Sequence, residues 1–95
     1  MSEERLGARI RRLRVARGMT QSELAAAMRA LGMRAEAHTI SRYEGDVYEP
    51  KLRAFAVLAR ALGVTVEVLL YGEEEAARIT AERESPGDDT ASAGG

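Results

Sequence analysis

Glycines at positions 18, 32, 45, 63 and 72 cut most of the chain into five short segments, each with apolar residues at helical spacing. A chain punctuated this way folds as short helices and little else, because no stretch alternates with the period of two that a half-buried strand needs. Leu6, Ile10 and Leu13 make one stripe at i, i+4 and i+7. Ser2-Glu3-Glu4 reads as the start of that first helix, a capping hydroxyl with two acids at the positive end of the dipole, and Gly18 as its stop. Thr20-Gln21-Ser22-Glu23 fits a capping box opening a second helix, with Leu24, Ala25, Met28 and Leu31 as its buried stripe and Gly32 as its end. Residues 33–36 then make a turn, and a third helix is predicted from Ala37 to Glu44 with Ile40 and Tyr43 facing inward. After the break at Gly45-Asp46, Pro50 stands close to the start of a fourth helix, whose stripe is Leu52, Phe55, Leu58, Ala59 and Leu62. Thr65 caps a short fifth helix carrying Val66, Val68, Leu69 and Leu70. The expectation is an all-α domain over residues 1–72.

Beyond Gly72 the composition changes. Residues 73–84 are compatible with a short helix but hold one large apolar residue, Ile79, and residues 85–95 hold none, so that last stretch is expected to be disordered. Charge divides at the same place. Residues 1–72 carry twelve Lys and Arg against eight Asp and Glu, a net of +4, while residues 73–95 carry two against seven, a net of −5. Arg5, Arg9, Arg11, Arg12, Arg14 and Arg17 crowd one stretch of the basic body. Such a body with an acidic tail is suited to binding a polyanion, and the alternative is simply a solvated helix face.

Several function classes fall away. With no cysteine there is no disulfide scaffold, zinc–thiolate site or thiol nucleophile, and the single histidine, His38, offers no His–His metal pair. No metal or cofactor is expected. One His, no Cys and scattered Ser supply no nucleophile–base–orienter set, and no glycine-rich loop follows a strand, so the chain does not read as an enzyme. At 4% aromatic residues it is poorly equipped to stack single-stranded bases. No apolar run approaches the ~18 residues of a membrane span, and the start lacks a secretory apolar segment, so a cytoplasmic protein is expected. Ninety-five residues bury a thin core, which favours a compact helical domain or one that pairs with itself.

Gly18-Met19-Thr20-Gln21-Ser22-Glu23-Leu24-Ala25, followed by Thr39-Ile40-Ser41-Arg42-Tyr43-Glu44, resembles the Cro/repressor-type (XRE-like) helix-turn-helix family. The run from Leu58 to Leu70 is similar to that family's closing helices, so the resemblance covers residues 5–72. It implies a five-helix bundle of the phage-repressor-like type, followed by an acidic, partly disordered tail over residues 73–95. The second helix would cross the DNA backbone and the third would enter the major groove. Gln21 matches a position that contacts a phosphate, and His38, Thr39, Ser41 and Arg42 would face the DNA, with Arg42 placed to read guanine. Arg14 and Glu44 match positions that pair between the first and third helices in some members. One feature departs from the pattern: the nineteen positions from Gln21 to Ile40 exceed the usual spacing. A second helix longer by about a turn is then expected, with a longer turn after it. The register at the start of the third helix stays open.

Each of these residues also has a plainer reading. His38 serves equally as a solvated or capping side chain, Thr39 and Ser41 as caps, and Arg42 as the partner of a nearby acid. Arg9, Arg11 and Arg12 are either solubilisers of the first helix or backbone-phosphate contacts, and Glu36 either meets a cytosine amino group or caps the third helix. Val66, Leu70 and Tyr71 belong to the core or to an isologous dimer seam. The resulting expectation is a sequence-specific regulator of transcription that binds double-stranded DNA, a repressor acting as a homodimer on a palindromic operator. The alternative is an antitoxin-like interaction module whose acidic tail, residues 73–95, binds a protein partner.

Overall fold

The computed structural model describes residues 4–83, and the expected cap Ser2 and the expected disorder of residues 85–95 lie outside them. The described residues form six helices and no strand: α1 (Leu6–Ala16), α2 (Gln21–Ala30), α3 (Ala37–Glu44), α4 (Leu52–Leu62), α5 (Val66–Tyr71) and α6 (Glu73–Arg83). The first five each deliver side chains to one core, in which Ile10, Leu24, Met28, Ile40, Leu58, Leu62 and Leu69 are fully buried. At roughly 1.5–3 kcal/mol for each large apolar side chain removed from water, this cluster is the main favourable term of the fold. The short helix compatible with residues 73–84 is present as α6, which packs on α5 through the buried Ala76.

Two stripe residues depart from expectation. Leu31 and Leu52 are exposed, Leu52 by 86%. Leu31 is the C-cap of α2 and Leu52 the first residue of α4, so both sit at helix ends beyond the packed middle where periodicity carries its meaning.

The start of α1 differs as well. It opens at Leu6 with Arg5 at the cap position and no side-chain cap of its own. The missing acceptor arrives from thirty-nine residues away: the Gly7 N–H donates to Asp46 Oδ1 at 3.1 Å, and Arg5 Nε donates to Asp46 Oδ2 at 3.1 Å. Asp46 reaches that place from a left-handed backbone, φ +58°, one residue past the end of the α3 cap. Glu4, expected to favour the helix dipole, instead turns its carboxylate to two guanidiniums, accepting from Arg9 Nε at 3.1 Å and Arg12 Nε at 2.7 Å.

Those bonds remove Arg9 and Arg12 from the basic patch. Arg9 is buried, and its guanidinium donates to the carbonyls of Leu69 at 3.2 Å and Leu70 at 2.8 Å, capping the C-terminus of α5. Arg12 forks onto Glu73 at 2.8 and 2.9 Å while also holding Glu4, and so ties α1 to the first turn of α6. The Arg12 guanidinium lowers the pKa of the Glu73 carboxyl to about 2, the α6 backbone adding to the effect and burial opposing it. A carboxylate whose folded value lies below its unfolded value of 4.5 stabilises the fold above that value and loses its contribution as the pH falls through the folded one. Helix α6 should therefore loosen from α1 between about pH 4.5 and pH 2, and Glu73→Gln should remove that step from a circular-dichroism acid titration. A titration of the variant that superimposes on the parent would show that the fork does not hold α6.

Candidate nucleic-acid interface

Helix α3 is built to keep one face and offer the other. Ile40 and Tyr43 are buried on the inner side, and Tyr43 meets Tyr48 edge-on at 5.6 Å between ring centroids. His38, Ser41 and Arg42 fall at i, i+3 and i+4, so they share the opposite, exposed side. None of the three has an ion-pair partner among the described residues. Thr39 behaves differently from its neighbours: it is half-buried, and its hydroxyl accepts the Glu36 N–H at 3.2 Å. Glu36 itself holds the N-cap position of α3.

Helix α2 packs against α3, and Ala25 on it is fully buried in the shared core. Its start is the reciprocal capping box read from the sequence, with the Glu23 N–H donating to Thr20 Oγ1 at 3.0 Å and the Thr20 N–H donating to Glu23 Oε1 at 2.8 Å. Those bonds leave the N–H groups of Gln21 and Ser22 without intrahelical acceptors. They open on a surface hollow of about 540 Å³ that is lined by Gly18, Thr20, Gln21, Ser22 and, from α3, Ala37. Backbone donors at the positive end of a dipole favour an anion there.

Beneath this hollow lies a charged knot. Arg14 forks onto Glu44 at 2.6 and 3.0 Å, with side chains only 11% and 6% exposed. Arg14 also donates to the Met19 carbonyl at 2.8 Å, and Gln21 Nε2 donates to Glu44 Oε1 at 3.1 Å. The side chain of Gln21 is thus turned to Glu44 in the free protein, and its backbone faces the hollow. The knot joins α1, the start of α2 and the end of α3, so it fixes the angle at which the outer face of α3 is presented.

Two residues that set this geometry were not singled out in the sequence. A Cβ on Gly7 would collide with the Glu44 carbonyl oxygen and stand 2.7 Å from that of Tyr43, so α1 meets the end of α3 backbone to backbone. Asp46 then binds the same turn of α1. Gly7 did leave a signal, a glycine beside an apolar stripe, which often marks close approach. Asp46 left none, since its partner is distant in the chain.

Ten residues of α2 are followed by a linker, residues 31–36. The nineteen positions from Gln21 to Ile40 are thus divided between α2, this linker and the first turn of α3, which begins at Ala37 as the sequence led one to expect. A family model described as a helix-turn-helix domain matches residues 5–70 of the chain. No curated protein and no solved structure matches the chain.

Proposed function

Because this chain belongs to the helix-turn-helix domain family, of the Cro/repressor-like type, we propose that it is a sequence-specific regulator of transcription that reads double-stranded DNA with α3 in the major groove. The observation that carries the reading is the outer face of α3, where His38, Ser41 and Arg42 stand exposed above the buried Ile40 and Tyr43. Arg42 offers a guanidinium fork to the O6 and N7 acceptors of guanine, and His38 and Ser41 flank it along the groove. Thr39, its hydroxyl engaged with Glu36, contributes at most its methyl group or a backbone-side contact. Gln21 and the backbone N–H groups at the start of α2 take a phosphate, which sets the register without reading sequence. This is a binding module with no catalytic step, and a cytoplasmic one; no helix among the described residues is long and apolar enough to cross a membrane.

The proposal extends to a repressor bound as a homodimer. Val66, Leu70 and Tyr71 on α5 are exposed by 43%, 48% and 47%, an apolar seam away from α3 that suits an isologous contact. Two copies of α3 would then enter one face of a palindromic operator, with half-sites roughly 34–36 Å apart.

Arg42→Ala should cost roughly 1–3 kcal/mol on the preferred duplex and relax base preference at one position of each half-site. Binding measured on preferred and random duplexes checks this. Equal losses on both would reassign Arg42 to the phosphate backbone.

A further inference from the structure

The linker between α2 and α3 is pinned along its length. The Gly32 N–H donates to the Arg29 carbonyl at 2.9 Å and the Met33 N–H to the Met28 carbonyl at 3.1 Å. Met33 packs half-buried against the core, and Ala35 is only 2% exposed. Arg29 closes the far end, donating to the Ala35 carbonyl at 2.7 Å and standing 3.8 Å from Glu36 Oε1. Burial therefore alternates, with Met33 and Ala35 facing inward and Arg34 and Glu36 outward.

Arg34 cannot leave the neighbourhood of α3. It lies three positions before Ala37, a reach of at most about 11 Å between Cα atoms, and Ala37 lines the hollow at the start of α2. Whereas Arg5, Arg9, Arg12 and Arg14 are each bound to a carboxylate, Arg34 has no ion-pair partner among the described residues. The one acid beside it in the linker, Glu36, faces Arg29. An exposed, unpaired guanidinium carried on a pinned backbone, three positions before the α3 residue that lines an anion-favouring hollow, is a backbone clamp in form.

We propose that Arg34 contacts a DNA phosphate flanking the bases read by α3, and that the stapled linker is the arm that holds it there. This rests on the DNA-binding reading above and adds a contact supplied by the linker. A phosphate contact lowers affinity for all sequences alike when removed, and it takes its share of counterion release with it.

The test is titration of preferred and random duplexes at several salt concentrations with the parent, Arg34→Ala, Arg34→Lys and Arg42→Ala chains. Arg34→Ala should weaken both duplexes equally and reduce the slope of log K against log salt by about 0.9, while Arg34→Lys keeps the parent slope. Its melting temperature should match the parent, because the side chain is exposed. An Arg34→Ala chain with the parent's affinity and slope would overturn the inference, and the DNA-binding reading would still stand if Arg42→Ala lost specificity. A loss confined to the preferred duplex would make Arg34 a base reader and overturn the phosphate assignment. A parent chain that bound no duplex would overturn both.

Discussion

Glu44→Ala should destabilise the protein by about 3–5 kcal/mol, because it leaves the Arg14 guanidinium charged, largely buried and without its partner. For a domain of this size each kcal/mol moves the melting temperature by roughly 4–8 °C, so a fall of more than ~12 °C is expected in a thermal scan. The same change removes the acceptor of Gln21 Nε2, which compounds the loss at the start of α2. Replacing both members of the pair, Arg14→Met with Glu44→Leu, should recover most of the stability, since a buried ion pair and an apolar pair of similar volume are often close in energy. DNA affinity should not recover with it, because the fork also sets where α3 ends against α1 and α2. An unchanged melting temperature in Glu44→Ala would mean that water reaches the pair freely.

Gly7→Ala is expected to be nearly as damaging, and for a different reason. Alanine is the better helix former by about 1 kcal/mol, so propensity alone predicts a gain. Against that, the new methyl would meet the carbonyl oxygens of Glu44 and Tyr43, and backbone cannot swing aside as a side-chain tip can. Helix α1 would have to lift from the end of α3, breaking the bonds of Gly7 and Arg5 to Asp46. Overpacking of this kind costs typically 1–3 kcal/mol, occasionally more, and here the upper end applies. The variant should melt lower and bind DNA less tightly, with a larger relative loss on the preferred duplex because the angle of α3 is disturbed. A variant as stable as the parent would show that α1 and α3 do not approach so closely.

These two residues also show what a sequence displays and what it conceals. Local signals were legible: the Thr20–Glu23 capping box, Gly32 just past the C-cap of α2, and the inward pair Ile40 and Tyr43 each depend on spacing within one or two turns. Which face of α3 is outward followed from that same pair, so the positions of His38, Ser41 and Arg42 were legible too. Long-range bonds were not. Nothing near Asp46 announces that it caps a helix thirty-nine residues upstream, and nothing near Arg9 announces the Leu69 and Leu70 carbonyls. The arginine cluster was ambiguous for this reason: charge counts do not distinguish a guanidinium bound at home from one available to a ligand. Arg9, Arg12 and Arg14 are bound at home. The long linker was visible as excess spacing, but its outward Arg34 emerges only from the burial of Met33 and Ala35.

Everything proposed for the outer face turns on whether α3 reads sequence. The most direct test is selection of bound duplexes from a randomised pool at near-physiological salt, using the full chain. An enriched motif is expected, arranged as an inverted repeat if the α5 seam joins two copies, with enrichment reduced at one position by Arg42→Ala. No enrichment, with binding to any duplex that fades steeply as salt rises, would mean attraction to the backbone alone and would contradict sequence reading by α3.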